Sequence, residues 1–348
     1  MRIGIIVNPR ARRAQNPSLL PGLDAICRDF PTIHCQLTVT ESPAALHQTM
    51  AKFADQRIDV LATCGGDGTL TATLTEAARA FGNELPLWLP LAGGTINTVA
   101  KNLGANEPPT IRLRRVLSLI SANGELPTRN QPTLRIASSD EVPLDFQTVG
   151  PQLDAPRTSA VRIGFLASAA MGARFLAAYT ASPSRGLWSA SLLGLRTIGS
   201  SMIPGGGPFA RWLFAPLPTQ LTVDGIVQSA PSYRLLIAST IPDVGLGMKV
   251  PWQAGRHSDR FQLVASSLPV TTNVLQLHRI LRGKPMQGQP HLDTLAQKAA
   301  LVFEQPEPIV LDGELFCAAQ LNLSIGPTLR VISPVVAPQG LEPRTLRV

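Results

Sequence analysis

The sequence predicts an α/β protein: an N-terminal domain with a doubly wound parallel sheet, followed by an antiparallel β domain. Three observations predict it. The first 125 residues alternate strand and helix patterns. Two glycine-rich turns, near 65 and near 93, each follow a strand pattern and precede a helix. From about residue 131 the texture changes to short apolar runs punctuated by Pro, Gly, Ser and Asp. The domains expected are 1–130 and 131–326, with the tail 327–348 packing back on the first.

The elements follow in order. Arg2 to Val7 reads as a buried strand ending at Asn8-Pro9, and 34–39 as a second strand. Ser42 then offers an N-cap, Pro43 suits a first helical position, and Leu46, Met50 and Phe53 recur at helical spacing. Residues 58–64 form a third strand. The helix after it carries Leu70, Leu74, Ala77 and Phe81 on one face and stops at Gly82. Residues 85–91 form a fourth strand, followed by a short helix ending near Gly104. In the second part, apolar runs at 133–137, 142–149, 161–168, 219–223, 233–239, 260–265, 300–304, 308–311 and 321–325 read as strands. Asp224-Gly225 is a hairpin signal. Helical stretches interrupt near 171–200 and 271–282.

Composition excludes several classes. With 44% hydrophobic and 16% charged residues the 348-residue chain is not disordered. It holds 31 Lys+Arg against 23 Asp+Glu, a net charge of +8, spread along the chain with no basic block. A nucleic-acid arm is not expected, whereas anionic ligands or an anionic membrane are compatible. Cys27, Cys35, Cys64 and Cys317 show no zinc spacing, and the five histidines show no metal spacing. The start is not a signal peptide, and no apolar run reaches the ~18 residues needed to span a bilayer. The expected location is the cytoplasm, with peripheral contact at a membrane.

Chemistry concentrates in two loops. Cys64-Gly65-Gly66-Asp67-Gly68-Thr69 lets backbone approach a ligand closely and aims N–H groups and a helix N-terminus at an anion. Its acidic Asp67 would repel bare phosphate, so it calls for Mg²⁺ or a ligand hydroxyl beside it; a plainer role is to cap a helix. Gly93-Gly94-Thr95-Ile96-Asn97 follows the next strand, so both loops fall side by side on one sheet edge. A P-loop and a serine-hydrolase elbow are both absent from the sequence. Asp312 and Glu314 flank Gly313, which suggests a turn. One of Asp312, Glu314 or Asp67 is the candidate base for a substrate hydroxyl; the plainer reading of the pair is an exposed hairpin.

Asn8-Pro9, Gly65–Thr69, Gly94-Thr95-Ile96-Asn97 and Asp312-Gly313-Glu314, in this order and spacing, resemble the diacylglycerol kinase catalytic-domain family, which includes bacterial lipid kinases and sphingosine kinases. The resemblance covers roughly 1–333. It implies an α/β nucleotide-binding domain followed by an antiparallel β-sandwich-like domain, and transfer of the ATP γ-phosphoryl group to a lipid hydroxyl, with Mg²⁺, in the cleft between them. It implies that Gly65, Gly66, Asp67, Gly68 and Thr69 bind phosphates and metal, and that Gly94, Thr95 and Asn97 complete the pocket. Asn8 and Thr40 would face the nucleotide, Phe165 to Gly172 would open the lipid side, and Asp67, Asp312 and Glu314 would be catalytic. The chain departs from the family pattern at Arg10-Ala11-Arg12-Arg13, at Ala92 and Thr98, and at Asp259-Arg260. The three arginines could take over phosphate contacts or form a solvated loop.

Two rival readings remain open: a non-catalytic nucleotide- or lipid-binding relative, and an NAD kinase, which shares the Gly-Gly-Asp-Gly-Thr loop. Residues 187–203 are apolar with one charge. Leu187, Trp188, Leu192, Leu195, Ile198 and Met202 could line one side of a helix. That helix is either interfacial, with Arg185, Arg196 and Arg211 favouring anionic lipid, or a buried cover for the β domain.

Overall fold

A computed structural model of the chain describes residues 1–333 apart from 83, 146–149 and 183–185. The end of the 142–149 run, Arg185 and the tail beyond 333 lie outside the described residues.

The first part runs β1 (Arg2–Val7), α1 (Leu19–Arg28), β2 (His34–Val39), α2 (Pro43–Asp55), β3 (Val60–Gly65), α3 (Asp67–Phe81), β4 (Leu87–Ala92), α4 (Thr98–Asn102), α5 (Pro109–Ser121) and β5 (Thr128–Gln131). Strands buried on both faces of a parallel sheet need unbroken apolar runs, and β1, β3 and β4 have them. Helix α2 starts as its sequence dictates: the Ser42 hydroxyl accepts from the Ala45 N–H at 3.2 Å, with Pro43 in the first turn.

The second part continues with β6 (Leu134–Glu141), β7 (Leu144–Asp145), β8 (Gly150–Pro151), β9 (Thr158–Gly164), β10 (Leu166–Ala170), α6 (Met171–Thr180), α7 (Leu187–Ser201) and α8 (Pro208–Leu213). Then come β11 (Leu217–Pro218), β12 (Gln220–Val223), β13 (Ile226–Val227), β14 (Ser232–Tyr233), β15 (Leu235–Ser239), β16 (Phe261–Ser266), α9 (Val270–Leu275), α10 (Leu277–Leu281), β17 (His291–Ala296), β18 (Lys298–Leu311), β19 (Glu314–Ile325) and β20 (Leu329–Ile332).

Two sheets carry the architecture. One is ordered β2-β1-β3-β4-β20-β5, parallel except for β5. The other is a ten-stranded antiparallel sheet whose main path is β17-β16-β15-β10-β18-β19-β6-β9. The parallel sheet is therefore completed from the far end of the chain, by β20. The runs read as separate strands at 300–304 and 308–311 are one 14-residue strand, β18. Its pairing with β19 shifts register between Val302 and Glu307, around Pro306, which has no N–H to give the ladder. Conversely, the run 161–168 is divided at Phe165 between β9 and β10.

One core cluster crosses between the two parts. It joins Leu70, Leu74 and Trp88 to Phe165, Leu166 and Ile237. Trp88 and Phe165 stack with ring centroids 5.8 Å apart and planes 3° from parallel. Helix α3 lies along β9, the edge strand of the large sheet. The Thr75 hydroxyl is held there by both backbone groups of Ile163, accepting from its N–H at 3.0 Å and donating to its carbonyl at 3.3 Å. This covers an edge that would otherwise expose unpaired backbone.

Candidate active site

The order β2-β1-β3-β4 places Thr40, Asn8 and both glycine loops in a row at the carboxyl edge of the sheet. The chain runs from β1 outward to β2 and then crosses back past β1 to β3, so the switch point lies between β1 and β3, where open α/β sheets bind ligands. Asn8 bridges it: its Nδ2 donates to Thr69 Oγ1 at 2.8 Å, and its Oδ1 accepts from the Arg10 N–H at 2.9 Å. Thr40 is buried and its N–H donates to the Val7 carbonyl at 3.0 Å.

The two loops touch backbone to backbone. The Gly93 N–H donates to the Gly65 carbonyl at 2.9 Å. A Cβ on Gly94 would lie 2.5 Å from Gly66 Cα, and one on Gly93 would lie 2.9 Å from Gly65 N. Only glycine permits that approach. The N–H groups of Asp67, Gly68 and Thr69 open α3 and have no intrahelical acceptor, which leaves them available to an anion. Thr95 is half-buried in the second loop.

Two residues of these loops serve the loops themselves. Asp67 Oδ2 accepts from the Thr98 N–H at 2.8 Å and Oδ1 from the Val99 N–H at 2.9 Å. Its carboxylate thus caps the following short helix, α4, while sitting in the first turn of its own. Burial pushes its pKa up to about 6 against those hydrogen bonds and the nearby Lys101. Asn97, in the left-handed region at φ +55°, closes a ring with Gly94: Oδ1 accepts from Gly94 N at 2.8 Å and Nδ2 donates to Gly94 O at 2.9 Å. Its amide braces the turn and does not face a ligand.

Across the cleft, Asp312 and Gly313 form the two-residue turn between β18 and β19, with φ of +46° and +88°. Asp312 is sealed inside, 3% exposed. It accepts from the Thr71 hydroxyl at 2.6 Å, from the Phe165 N–H at 2.9 Å and from the Leu166 N–H at 2.9 Å. Gly164 leaves room for it: a side chain there would collide with Oδ2. Burial pushes the Asp312 pKa up to about 7; Thr71 and the amides oppose this, and Asp67 adds to it. Glu314 differs. Its side chain folds onto Gly68, where any Cβ would collide with it. Its carboxylate takes no hydrogen bond or ion pair among the described residues. Loss of water raises its pKa above the usual range, and Arg162 counters this. Arg162 in turn grips Glu141 with both Nη atoms, Nη2 to Oε2 at 3.0 Å, and lies 4.3 Å from the Phe316 ring centroid. Of the three acids, only Glu314 presents an uncommitted carboxylate beside the glycine loop.

Residues 2–123 match the family model described as the diacylglycerol kinase catalytic domain. The chain is also similar over its length to solved structures from Bacillus anthracis strain Sterne. One is of a diacylglycerol kinase, at 14% identity and TM-score 0.57, covering 96% of this chain and 97% of that one. Two others are provisionally described as diacylglycerol kinases, each at 15% identity and 96% of this chain, with TM-scores of 0.60 and 0.61 and 95% and 97% of their own lengths covered. At these identities the likeness shows a shared two-part fold. No curated protein matches the sequence.

The departing arginine loop is tied to the second glycine loop. Arg13 N–H donates to the Gly93 carbonyl at 2.9 Å, and its Nη1 to the Ala92 carbonyl at 3.1 Å. Arg10 stands exposed at the mouth, and Arg12 reaches toward Gly186. Sequence reading missed Thr71 and Thr75, which pin α3 to the second domain. A signal existed: threonine at 69, 71, 73 and 75 is costly for a helix, and 71 and 75 share a face. A cavity of about 650 Å³, lined in part by Met1, Ile33 and Thr128, opens at the opposite, amino end of the strands and is not part of this site.

Proposed function

We propose that the protein is an ATP-dependent lipid kinase that transfers the γ-phosphoryl group to the hydroxyl of a diacylglycerol- or sphingosine-like acceptor at a membrane surface. The match of residues 2–123 to the diacylglycerol kinase catalytic-domain model supports the reaction class. The observation that carries the reading is Glu314: an acid from the second domain pressed on Gly68 of the phosphate-type loop, with no hydrogen-bond or ion-pair partner among the described residues. A kinase needs one carboxylate at the junction of nucleotide and acceptor sites, and Glu314 stands there.

In this reading the first-turn N–H groups of α3 and the Gly65–Thr69 and Gly94–Thr95 backbones hold the phosphates. Asn8 fixes the Thr69 hydroxyl, and Thr40 borders the nucleotide. Glu314 accepts the proton of the lipid hydroxyl. The hydroxyl oxygen bonds to the γ-phosphorus, the bond to the β,γ-bridging oxygen breaks, and ADP leaves with that electron pair. The upward shift of the Glu314 pKa, caused by loss of water, makes its carboxylate a stronger base than a free one. Asp67 positions the loops and Asp312 locks the domains, each through its hydrogen bonds. Among the described residues no three His, Cys, Asp or Glu side chains group as a metal cage. The donor set fits a Mg²⁺ carried on nucleotide phosphates, which takes only one or two protein carboxylates. Glu314 and the outward lone pairs of Asp67 would hold it. When bound, it would neutralise charge on the transferring group.

A radiolabelled-ATP assay with mixed micelles of diacylglycerol, monoacylglycerol, ceramide, sphingosine or phosphatidylglycerol tests this, with NAD as the soluble control. A labelled lipid is expected. Labelled NADP alone would replace the reading with an NAD kinase. ATP binding without any labelled product would leave a nucleotide-binding relative.

A further inference from the structure

The second domain carries an apolar face that the cleft does not use. Helix α7 spans 15 residues, and Trp188, Leu192 and Leu195 fall on one stripe along it at steps of four and three, with Met202, the C-cap, two turns further on the same side. They face solvent, Trp188 at 76%, Leu195 at 64% and Met202 at 67% exposure. The opposite side is packed, with Ala190 and Ser201 buried. Helix α7 rests against α8 and α9, which add exposed Trp212 and Leu275 to the same group of helices. Scattered exposed apolar residues need no explanation, but a rank of large ones does.

Charge decides what covers it. From Ala155 to Val223 the sequence contains no Asp or Glu and six arginines. From Arg260 to Leu292, which includes α9 and α10, it again contains no acid, with three arginines and one lysine. Arg211, Arg282 and Lys284 are exposed, and Arg196 lies 4.2 Å from the Phe209 ring centroid, holding its charge beside the stripe. An apolar helix face with tryptophan, framed by arginine and free of acids, matches an anionic bilayer surface: apolar groups enter the acyl boundary and cations meet headgroups. No described helix is long and apolar enough to cross a membrane, so this contact lies in the interface plane. The face also adjoins the active-site cleft. The N-terminus of α7 begins at Gly186, where a Cβ would sit 3.5 Å from Arg12 Nη1 of the first-domain loop.

We infer that the α7–α8–α9 face docks this protein on anionic lipid bilayers, with Trp188, Leu192, Leu195 and Met202 inserted and the surrounding arginines on the headgroups. The inference deepens the lipid-kinase reading and rests on it for its purpose, since it presents the cleft mouth to the bilayer. The occupant is a lipid surface and not a second copy, because two such faces would bring like charges together.

The test is sedimentation of the full chain with phosphatidylcholine vesicles, with and without phosphatidylglycerol, in the absence of ATP. Binding to the phosphatidylglycerol vesicles is expected, weakening as salt rises. Leu195→Glu and Met202→Glu, on exposed positions where folding is undemanding, should each weaken it by roughly tenfold or more. Arg211→Glu gives an independent reading through charge and should reduce the preference for phosphatidylglycerol vesicles. Unchanged binding in both apolar variants would overturn the inference. So would absence of vesicle binding together with a concentration-dependent dimer that Leu195→Glu dissociates. Phosphorylation of a water-soluble short-chain diacylglycerol, measured separately on the unaltered protein, keeps the two readings apart. Vesicle binding without transfer would sink the kinase reading alone; transfer without vesicle binding would sink the docking face alone.

Discussion

Two Asp-Gly turns close hairpins in the same large sheet, and they are built alike. Asp224-Gly225 has φ of +47° and +85°, and Asp312-Gly313 has +46° and +88°. In each, the carboxylate accepts from two consecutive backbone N–H groups: Gln297 and Lys298 for Asp224, Phe165 and Leu166 for Asp312. The difference lies above them. Asp224 stands exposed, whereas α3 of the first domain closes over Asp312 and adds the Thr71 hydroxyl. The dipeptide sets the backbone, and the element packed over it sets what the carboxylate does. The same contrast separates Asp312 from Glu314, two residues away: one is consumed by the domain interface and the other is left facing the glycine loop.

The sharpest way to break this comparison is to delete both carboxylates. Asp312→Ala leaves two amides and a hydroxyl unpaired in the interior, and at ~1–3 kcal/mol for each orphan the loss should be about 3 kcal/mol or more. Asp224→Ala exposes its amides to water and should cost about 1 kcal/mol or less. Urea midpoints of the two variants measure this, and equal losses would end the distinction. The pH dependence is a second handle on Asp312. Its pKa rises from an ordinary 3.8 to about 7 on folding, because burial outweighs its hydrogen bonds. Below the ordinary value both states hold the proton and its stabilisation is complete. Between those limits the folded chain keeps a proton that the unfolded chain has released, so stability falls as pH rises. The stability difference between the unaltered protein and Asp312→Asn should therefore decline from acid toward neutral pH. A flat difference would mean that Asp312 does not titrate in that window.

Glu314→Gln sharpens the comparison from the other side. The amide keeps the shape over Gly68 but cannot accept a proton, so transfer should slow by roughly a hundredfold or more. Melting temperature should stay at the unaltered value, because Glu314 takes no hydrogen bond among the described residues. A variant that transfers phosphate at the original rate would remove Glu314 as the base. One that unfolds would show the acid to be another lock like Asp312.

Much of the first domain was legible in the sequence because its signals are local. Strand β1, the Ser42-Pro43 start of α2 and the two glycine loops each lie within a few residues of the feature that specifies them. The positions of Asn8, Gly65, Gly66, Gly94 and Thr95 at one sheet edge follow from strand order, which the alternation of elements implies. Less was legible where the determinant is distant. Pro306 breaks the apolar pattern of β18 without breaking the strand, since a bulge absorbs it. The division of labour among Asp67, Asp312 and Glu314 depends on Thr98, on Thr71 and on Gly68, up to 246 positions away along the chain for Gly68 and Glu314. No periodicity encodes such pairs. The apolar stripe of α7 could be read from spacing, but whether it was buried or exposed depended on where α6, α8 and α9 packed.

A smaller effect than at Asp312 is expected at Asp67, and it separates two roles for an acid in a phosphate-binding loop. If Asp67 acts only on ligand, Asp67→Ala should leave unliganded stability unchanged. Its oxygens, however, receive the Thr98 and Val99 N–H groups and so fasten the start of α4 to the start of α3. Losing a cap of this kind costs about 1–2 kcal/mol. It should also loosen the contact between Gly66 and Gly94, which depends on α4 holding the second loop in place. The expected result is a modest fall in urea midpoint without ligand, together with weaker ATP binding. Asp67→Asn, which retains one accepting oxygen, should fall between the two. Full loss of transfer with undiminished stability and ATP affinity in Asp67→Ala would instead assign Asp67 to the reacting phosphate and leave Glu314 without its distinction from the other acids.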